Sequence, residues 1–191
     1  NLTAPERAEL ARCLKALEVS QDRDPKFQKV LDYLVGENWL ALGCIIFSQY
    51  FDSAWWLAES LSREHFPTEP IGIYAGGANS GILLAGQFKA CQRDEIKAKV
   101  KHGEIRLLIG TDAASEGLNL QRLGTLINLD LPWNPTRLEQ RKGRIQRIGQ
   151  VRDEVFVCNL RYRGSVEDRV HQLLSSRLEY IFDLFGQIPD V

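Results

Sequence analysis

Late in the chain, Gln140, Gly143, Arg144 and Arg147 follow one another at i, i+3, i+4 and i+7 within QRKGRIQRIGQ, residues 140–150. On a helix that spacing puts all of them on one face, and Arg137 lies near the same stripe. From 137 to 152 the positives Arg137, Arg141, Lys142, Arg144, Arg147 and Arg152 face a single negative, Glu139. Like charges at helical spacing cost a few tenths of a kcal/mol per pair, and a glycine inside a helix costs roughly 1 kcal/mol relative to alanine. A stretch that breaks two local rules together is a candidate for function. The guanidinium group stays charged at any working pH and holds phosphate oxygens in a forked geometry. The chemistry expected of this face is therefore recognition of a phosphate anion, with Gly143 leaving room for a large neighbour. The plainer alternative is a solvated basic face, and the aligned glutamine, glycine and arginines favour the functional one.

Such a face needs a scaffold. Asn134 is a good N-cap and Pro135 a good first residue, so a helix is expected from there to about Ile148. Upstream, Thr3 and Glu6 form a capping box ahead of Leu10, Leu14 and Leu17, which predicts a helix over 4–18. Asp24 caps a second helix whose first residue is Pro25 and whose apolar positions are Phe27, Val30, Leu31 and Leu34. Five short apolar runs read as strands: CIIF (44–47), IGIY (71–74), RLLIG (106–110), TLINLD (125–130) and VFVCN (155–159). Between them lie a helix at about 53–63 carrying Trp55 and Trp56, at least one of them core, and another near 92–101 that stops at Gly103. Ser165 and Asp168 open a long helix to about 185, with Val166, Val170, Leu173, Leu174, Ile181 and Phe185 on its apolar side. Strands alternating with helices predict an α/β fold with a mostly parallel sheet covered on both faces.

In such a sheet ligands bind where loops leave the carboxyl ends of strands. Two segments qualify: GTDAASEGLNLQ, 110–121, and DLPWNPTRLEQRKGRIQRIGQ, 130–150. Asp130 stands at that edge, where a role in the site and a role in helix entry are both open. The AGGANSG loop reads as a turn rather than a phosphate cradle.

The 191 residues, 44% hydrophobic, suffice for one sizeable core. Lys and Arg total 24 against 25 Asp and Glu, so no global field draws the chain to an anion and a local patch must do so. Cys13, Cys44, Cys91 and Cys158 are scattered, as are His65, His102 and His171; they are expected to be buried thiols and isolated imidazoles, with no metal site. No apolar run approaches the roughly 20 residues that span a bilayer. The chain begins at Asn1 and contains no Met, which reads as part of a longer protein.

The pattern Gln140-x-x-Gly143-Arg144-x-x-Arg147 resembles motif VI of superfamily 2 helicases, and the continuation Ile148-Gly149-Gln150, with Trp133-Asn134-Pro135 before it, resembles the Swi/Snf branch and the bacterial RNA-polymerase-associated ATPases. Thr111 and Asp112 with Gly117–Leu120 are similar to motif V, Ile46–Gln49 to motif IV, and Asp24–Phe27 to the usual lead-in. The motifs stand in family order across about 24–185.

The resemblance implies a RecA-like second lobe of the P-loop NTPase fold over 24–191, preceded by a helix and linker over 1–23, in a two-lobe motor whose first lobe holds most of the ATP and Mg²⁺. Under it Arg144 and Arg147 are arginine fingers for the γ-phosphate and Gln140 orients them. Glu116, Gly117, Asn119 and Gly143 line the nucleotide side, while Ser48, Gln49, Thr111 and Trp133 face the nucleic-acid backbone. The implied protein is a DNA-dependent ATPase, a helicase or duplex-DNA translocase, partnered by its own first lobe and by nucleic acid and located in a bacterial-type cytoplasm. Two departures qualify this. No GxxxxGK[ST] phosphate loop is present, so this chain alone is expected neither to hydrolyse ATP nor to bind it tightly. Ser115 and Glu116 also differ from the usual motif V. The alternative is a degenerate lobe that binds nucleic acid or protein without ATP chemistry; such a module has no use for a pair of γ-phosphate sensors.

Overall fold

The computed structural model describes residues 2–20, 24–76, 79–112, 120–146 and 149–185. Helix α1, Ala4–Ser20, starts as its capping box predicts: Glu6 accepts the Thr3 N–H at 2.7 Å, a bond that holds its carboxyl below the usual range. Its expected apolar face is not covered, however, since Leu10 and Leu14 are each more than half exposed. Helix α2, Pro25–Leu31, begins at the Asp24 cap, whose Oδ1 accepts the Phe27 N–H at 2.8 Å. A π-turn, Asp32–Gly36, extends it to the short α3, Trp39–Leu42.

Strand β1, Cys44–Ser48, is apolar throughout because both its faces are covered. Successive side chains alternate: Cys44 and Ile46 enter the core under α2 and α3, and Ile45 and Phe47 enter the core on the opposite side. Helix α4, Phe51–Ser60, then packs Ala54, Leu57 and Ala58 into the first of these cores and continues as a π-turn to His65. After β2, Ile71–Tyr74, come two strands that the sequence reading lacked, β3, Gly81–Leu84, and β4, Gln87–Ala90. They form a hairpin whose turn places Ala85 and Gly86 both at positive φ, 50° and 72°, the conformation of a two-residue type I′ turn. Alanine in the first position hides that signal.

Helix α5, Arg93–His102, ends at Gly103, which is left-handed at φ 80°. Its Ile96 and Val100 fill the second core. Strands β5, Leu107–Thr111, and β6, Thr125–Asn128, follow, then α6, Pro135–Lys142, β7, Phe156–Asn159, and α7, Val166–Phe185. The sheet order is β4-β3-β2-β5-β1-β6-β7, with β2, β5, β1, β6 and β7 parallel and the hairpin antiparallel. Of the expected apolar side of α7, Val170 is buried, whereas Val166 and Leu173 are more than half exposed. Among the described residues no helix is long and apolar enough to cross a membrane.

Candidate functional site

The register of the parallel strands brings their carboxyl ends to one edge. Ser48 is level with Thr111, Phe47 with Asn128, and Asn128 with Asn159. Into this edge α6 inserts Arg141, whose side chain is buried. Its Nε donates to Asp112 Oδ1 at 2.6 Å, and its Nη1 donates to Asn128 Oδ1 at 2.8 Å and to the Asp130 carbonyl at 3.0 Å. The guanidinium lies 5.4 Å from the Phe47 ring centroid. One side chain thus ties the ends of β5 and β6 to α6, with β1 beneath it.

Asp130 carries the frame further. Its carboxylate accepts the Ser48 hydroxyl at 2.5 Å and the Gln49 N–H at 2.8 Å, while Gln49 Nε2 donates to the Leu131 carbonyl at 2.8 Å. Asp130 therefore fixes the loop after β1. On the far side Lys26, also buried, donates to the Leu129 carbonyl at 2.7 Å and to Glu167 of α7 at 2.6 Å. Tyr162 packs over Lys26 and donates its hydroxyl to Asp24 at 2.9 Å; burial, then this contact with Asp24, pushes its phenol above the usual range.

The arginine-rich stretch differs from the single helical face expected of it. Helix α6 stops at Lys142, and Gly143 closes it rather than sitting in its interior. The Arg144 and Ile145 N–H groups bond three residues back, to Arg141 and Lys142, tightening the chain into turns that 3.6-residue spacing does not describe. Arg141 consequently leaves the tally of solvated positives. The cue was available: Leu138, Arg141 and Ile145 fall at i, i+3 and i+7, the inward side of this segment.

The end of the stretch is structural as well. Gly149 is left-handed at φ 89°, and a Cβ there would lie 2.7 Å from Gln121 Nε2. Gln150 Nε2 donates to the carbonyls of Ile145 at 2.6 Å and Leu123 at 3.1 Å. Together they clamp the segment against the lead-in to β6.

Gln140 is exposed, Gly143 and Arg144 are half-buried, and all three stand beside this frame. Among the described residues a Cβ at Gly143 would meet only the carbonyls of Glu139 at 3.4 Å and Gln140 at 3.6 Å, an ordinary van der Waals distance. Ser48 and Thr111 are buried, Gln49 is half-buried, and Trp133 is 62% exposed. Only the latter two are at the surface to touch a ligand directly. Asn134 caps α6 as expected, accepting the Thr136 N–H at 3.0 Å. Glu116, Gly117, Asn119 and Arg147 lie outside the described residues.

The remaining expectations divide. Ser80 closes the glycine-rich loop onto Ala75, accepting its N–H and donating to its carbonyl, as a turn would. Trp55 packs against the first core and Trp56 is 42% exposed. Cys44 is buried, and burial pushes its thiol up to about 12, but Cys13 is exposed, contrary to the expectation for all the thiols. Among the described residues no group of three His, Cys, Asp or Glu side chains is arranged to hold a metal ion.

Residues 26–149 match the family described as helicase conserved C-terminal domain. An uncharacterized ATP-dependent helicase, YqhH of Bacillus subtilis (strain 168), is 41% identical over 112 residues, 59% of this chain and 20% of that protein. The RNA polymerase-associated protein RapA of Vibrio atlanticus (strain LGP32) is 32% identical over 129 residues, 53% of this chain and 13% of that protein. The chain thus spans a fifth or less of either relative. A crystal structure of the C-terminal part of the Fun30 ATPase domain superposes with a TM-score of 0.61 at 23% identity, covering 77% of this chain and 43% of that one. That likeness shows a RecA-like fold.

Proposed function

The chain belongs to the helicase conserved C-terminal domain family, and from that membership we propose that it is the second lobe of an ATP-driven motor on nucleic acid, a helicase or a translocase on duplex DNA. The observation that supports this reading best is the glycine face: among the described residues a Cβ at Gly143 would meet only backbone carbonyls, and the buried Arg141 beside it ties α6 to the carboxyl edge of the sheet. An ATP-bearing first lobe needs such a surface to close upon.

In this mechanism Arg147 and Arg144 reach the γ-phosphate and offset charge that develops during transfer, with Gln140 orienting them. Glu116, Gly117, Asn119 and Gly143 line the nucleotide side of the cleft. Mg²⁺ held with ATP chiefly on the first lobe would supply further positive charge to the phosphates. The carboxylates at this edge suit that division, because Asp112 and Asp130 are engaged by Arg141, Ser48 and Gln49 rather than turned outward as metal ligands. Gln49 and Trp133 contact the nucleic-acid backbone directly, while buried Ser48 and Thr111 position the loops that carry them. The names of the relatives, an ATP-dependent helicase and an RNA polymerase-associated protein, accord with this reading.

The test is ATP hydrolysis by the full-length protein alone, with single-stranded DNA and with duplex DNA. Stimulation by duplex is the expected result. A rate indifferent to both nucleic acids would overturn the motor.

A further inference from the structure

A second cationic recess opens on the same edge. Residues after β7 leave the sheet level with those after β6, since Asn159 pairs with Asn128 and the Leu160 N–H bonds the Asn128 carbonyl at 2.9 Å. Arg161 and Arg163 therefore emerge one strand beyond the loop that carries Trp133. They face a polar side of α7 on which Asp168, His171, Gln172 and Ser175 recur at i, i+3, i+4 and i+7, and the two walls border an open recess of about 670 Å³.

Its charge is positive. Asp168 is already engaged by Arg161 Nε at 3.1 Å and by the Gly164 N–H. The neighbouring Glu167 is turned the other way, onto Lys26 and the Tyr162 N–H. Arg163 is exposed and makes no ion pair among the described residues. Arginine, histidine, glutamine and serine are donors to anionic oxygen. Apart from the His171 imidazole, the described lining contains no aromatic ring and no large apolar side chain on which a base could stack. Its size exceeds that of a lone phosphate and suits a short length of sugar and phosphate.

We propose that the recess between Arg161, Arg163 and the His171–Ser175 face of α7 is a phosphate-backbone site that continues the nucleic-acid track past the edge of β6. This rests on the motor reading above. Each contact there grips one phosphate without reading sequence.

The test measures binding of the full-length protein to a duplex DNA across a series of salt concentrations. Each neutralised phosphate contributes about 0.9 to the slope of log affinity against log salt. In Arg163→Gln the slope falls by about that amount, Arg163→Lys, which keeps the charge, restores it, and ATP hydrolysis without nucleic acid is unchanged. An Arg163→Gln protein with wild-type affinity and slope, while Gln49→Ala and Trp133→Ala weaken binding, overturns this site and leaves the motor reading standing. Loss of inorganic phosphate binding in Arg163→Gln with an unaltered DNA slope overturns it too, assigning the recess to free phosphate. A wild-type protein that binds no nucleic acid removes both.

Discussion

Replacing Arg141 by methionine tests the frame of the site. The substitution keeps an unbranched, largely apolar stem and removes the guanidinium with its three hydrogen bonds at 2.6, 2.8 and 3.0 Å to Asp112, Asn128 and Asp130. Arg137 compensates little, because it reaches only Asp112, at 3.7 Å, with a side chain that is 57% exposed. Removing one partner of a buried pair costs about 3 to 5 kcal/mol. The side chains of Asp112 and Asp130 keep 12% and 13% of their exposure, so water softens the loss and the lower end, about 3 kcal/mol, is expected. For a domain of this size that lowers the melting temperature by roughly 6 to 12 °C. Urea unfolding followed by far-ultraviolet circular dichroism measures it, and Arg141→Met with Asp112→Asn should lose less than the sum of the two single losses. A loss below about 1 kcal/mol, the range of an exposed ion pair, would refute the claim that Arg141 is a buried tie.

Other perturbations follow from the same geometry. Gly149→Ala forces a left-handed backbone on a residue whose Cβ would meet Gln121 at 2.7 Å; a destabilisation of about 1 to 3 kcal/mol is expected, and an unchanged unfolding midpoint would contradict it. Lys26→Met strands Glu167 and the Leu129 carbonyl; with the Lys26 side chain 11% exposed and that of Glu167 26%, the loss should be about 2 kcal/mol, checked by the same unfolding curves. Because burial raises the Cys44 thiol to about 12, the folded state keeps a proton that an unfolded thiol releases near pH 8.5. That contribution is whole below the unfolded value and is lost as pH rises toward 12. A thiol reagent at neutral pH should accordingly label exposed Cys13 and leave Cys44 until unfolding, and early labelling of Cys44 would show it is not enclosed.

The parallel frame was legible because β1, β2, β5 and β6 are short runs buried on both faces and bounded by turn residues, while the edge strand β7 is largely exposed, and the Asp24, Asn134 and Gly103 caps state their helix ends outright. The hairpin was hidden by Ala85, whose positive φ no propensity announces. The end of α6 was hidden because the spacing of Gln140, Gly143, Arg144 and Arg147 fits a helix that the chain leaves at Lys142. Local charge counting also could not tell a solvated arginine from a buried one. Arg141 is buried because Asp112 at the end of β5 and Asn128 and Asp130 at the end of β6 converge on it, a tertiary fact. The same holds for Lys26, whose partner Glu167 is 141 residues away. The uncovered apolar residues of α1 and α7 show the reverse case, a helical pattern that the described chain does not itself bury.

The most direct measurement of the central claim is the nucleic-acid-stimulated kcat of the full-length protein carrying Arg147→Ala, taken beside its affinity for duplex DNA. Loss of a transition-state arginine removes about 10³ or more in rate, and the account requires that fall with DNA binding retained. An unchanged kcat, or a fall matched by lost DNA binding, would contradict the assignment of this edge to phosphoryl transfer.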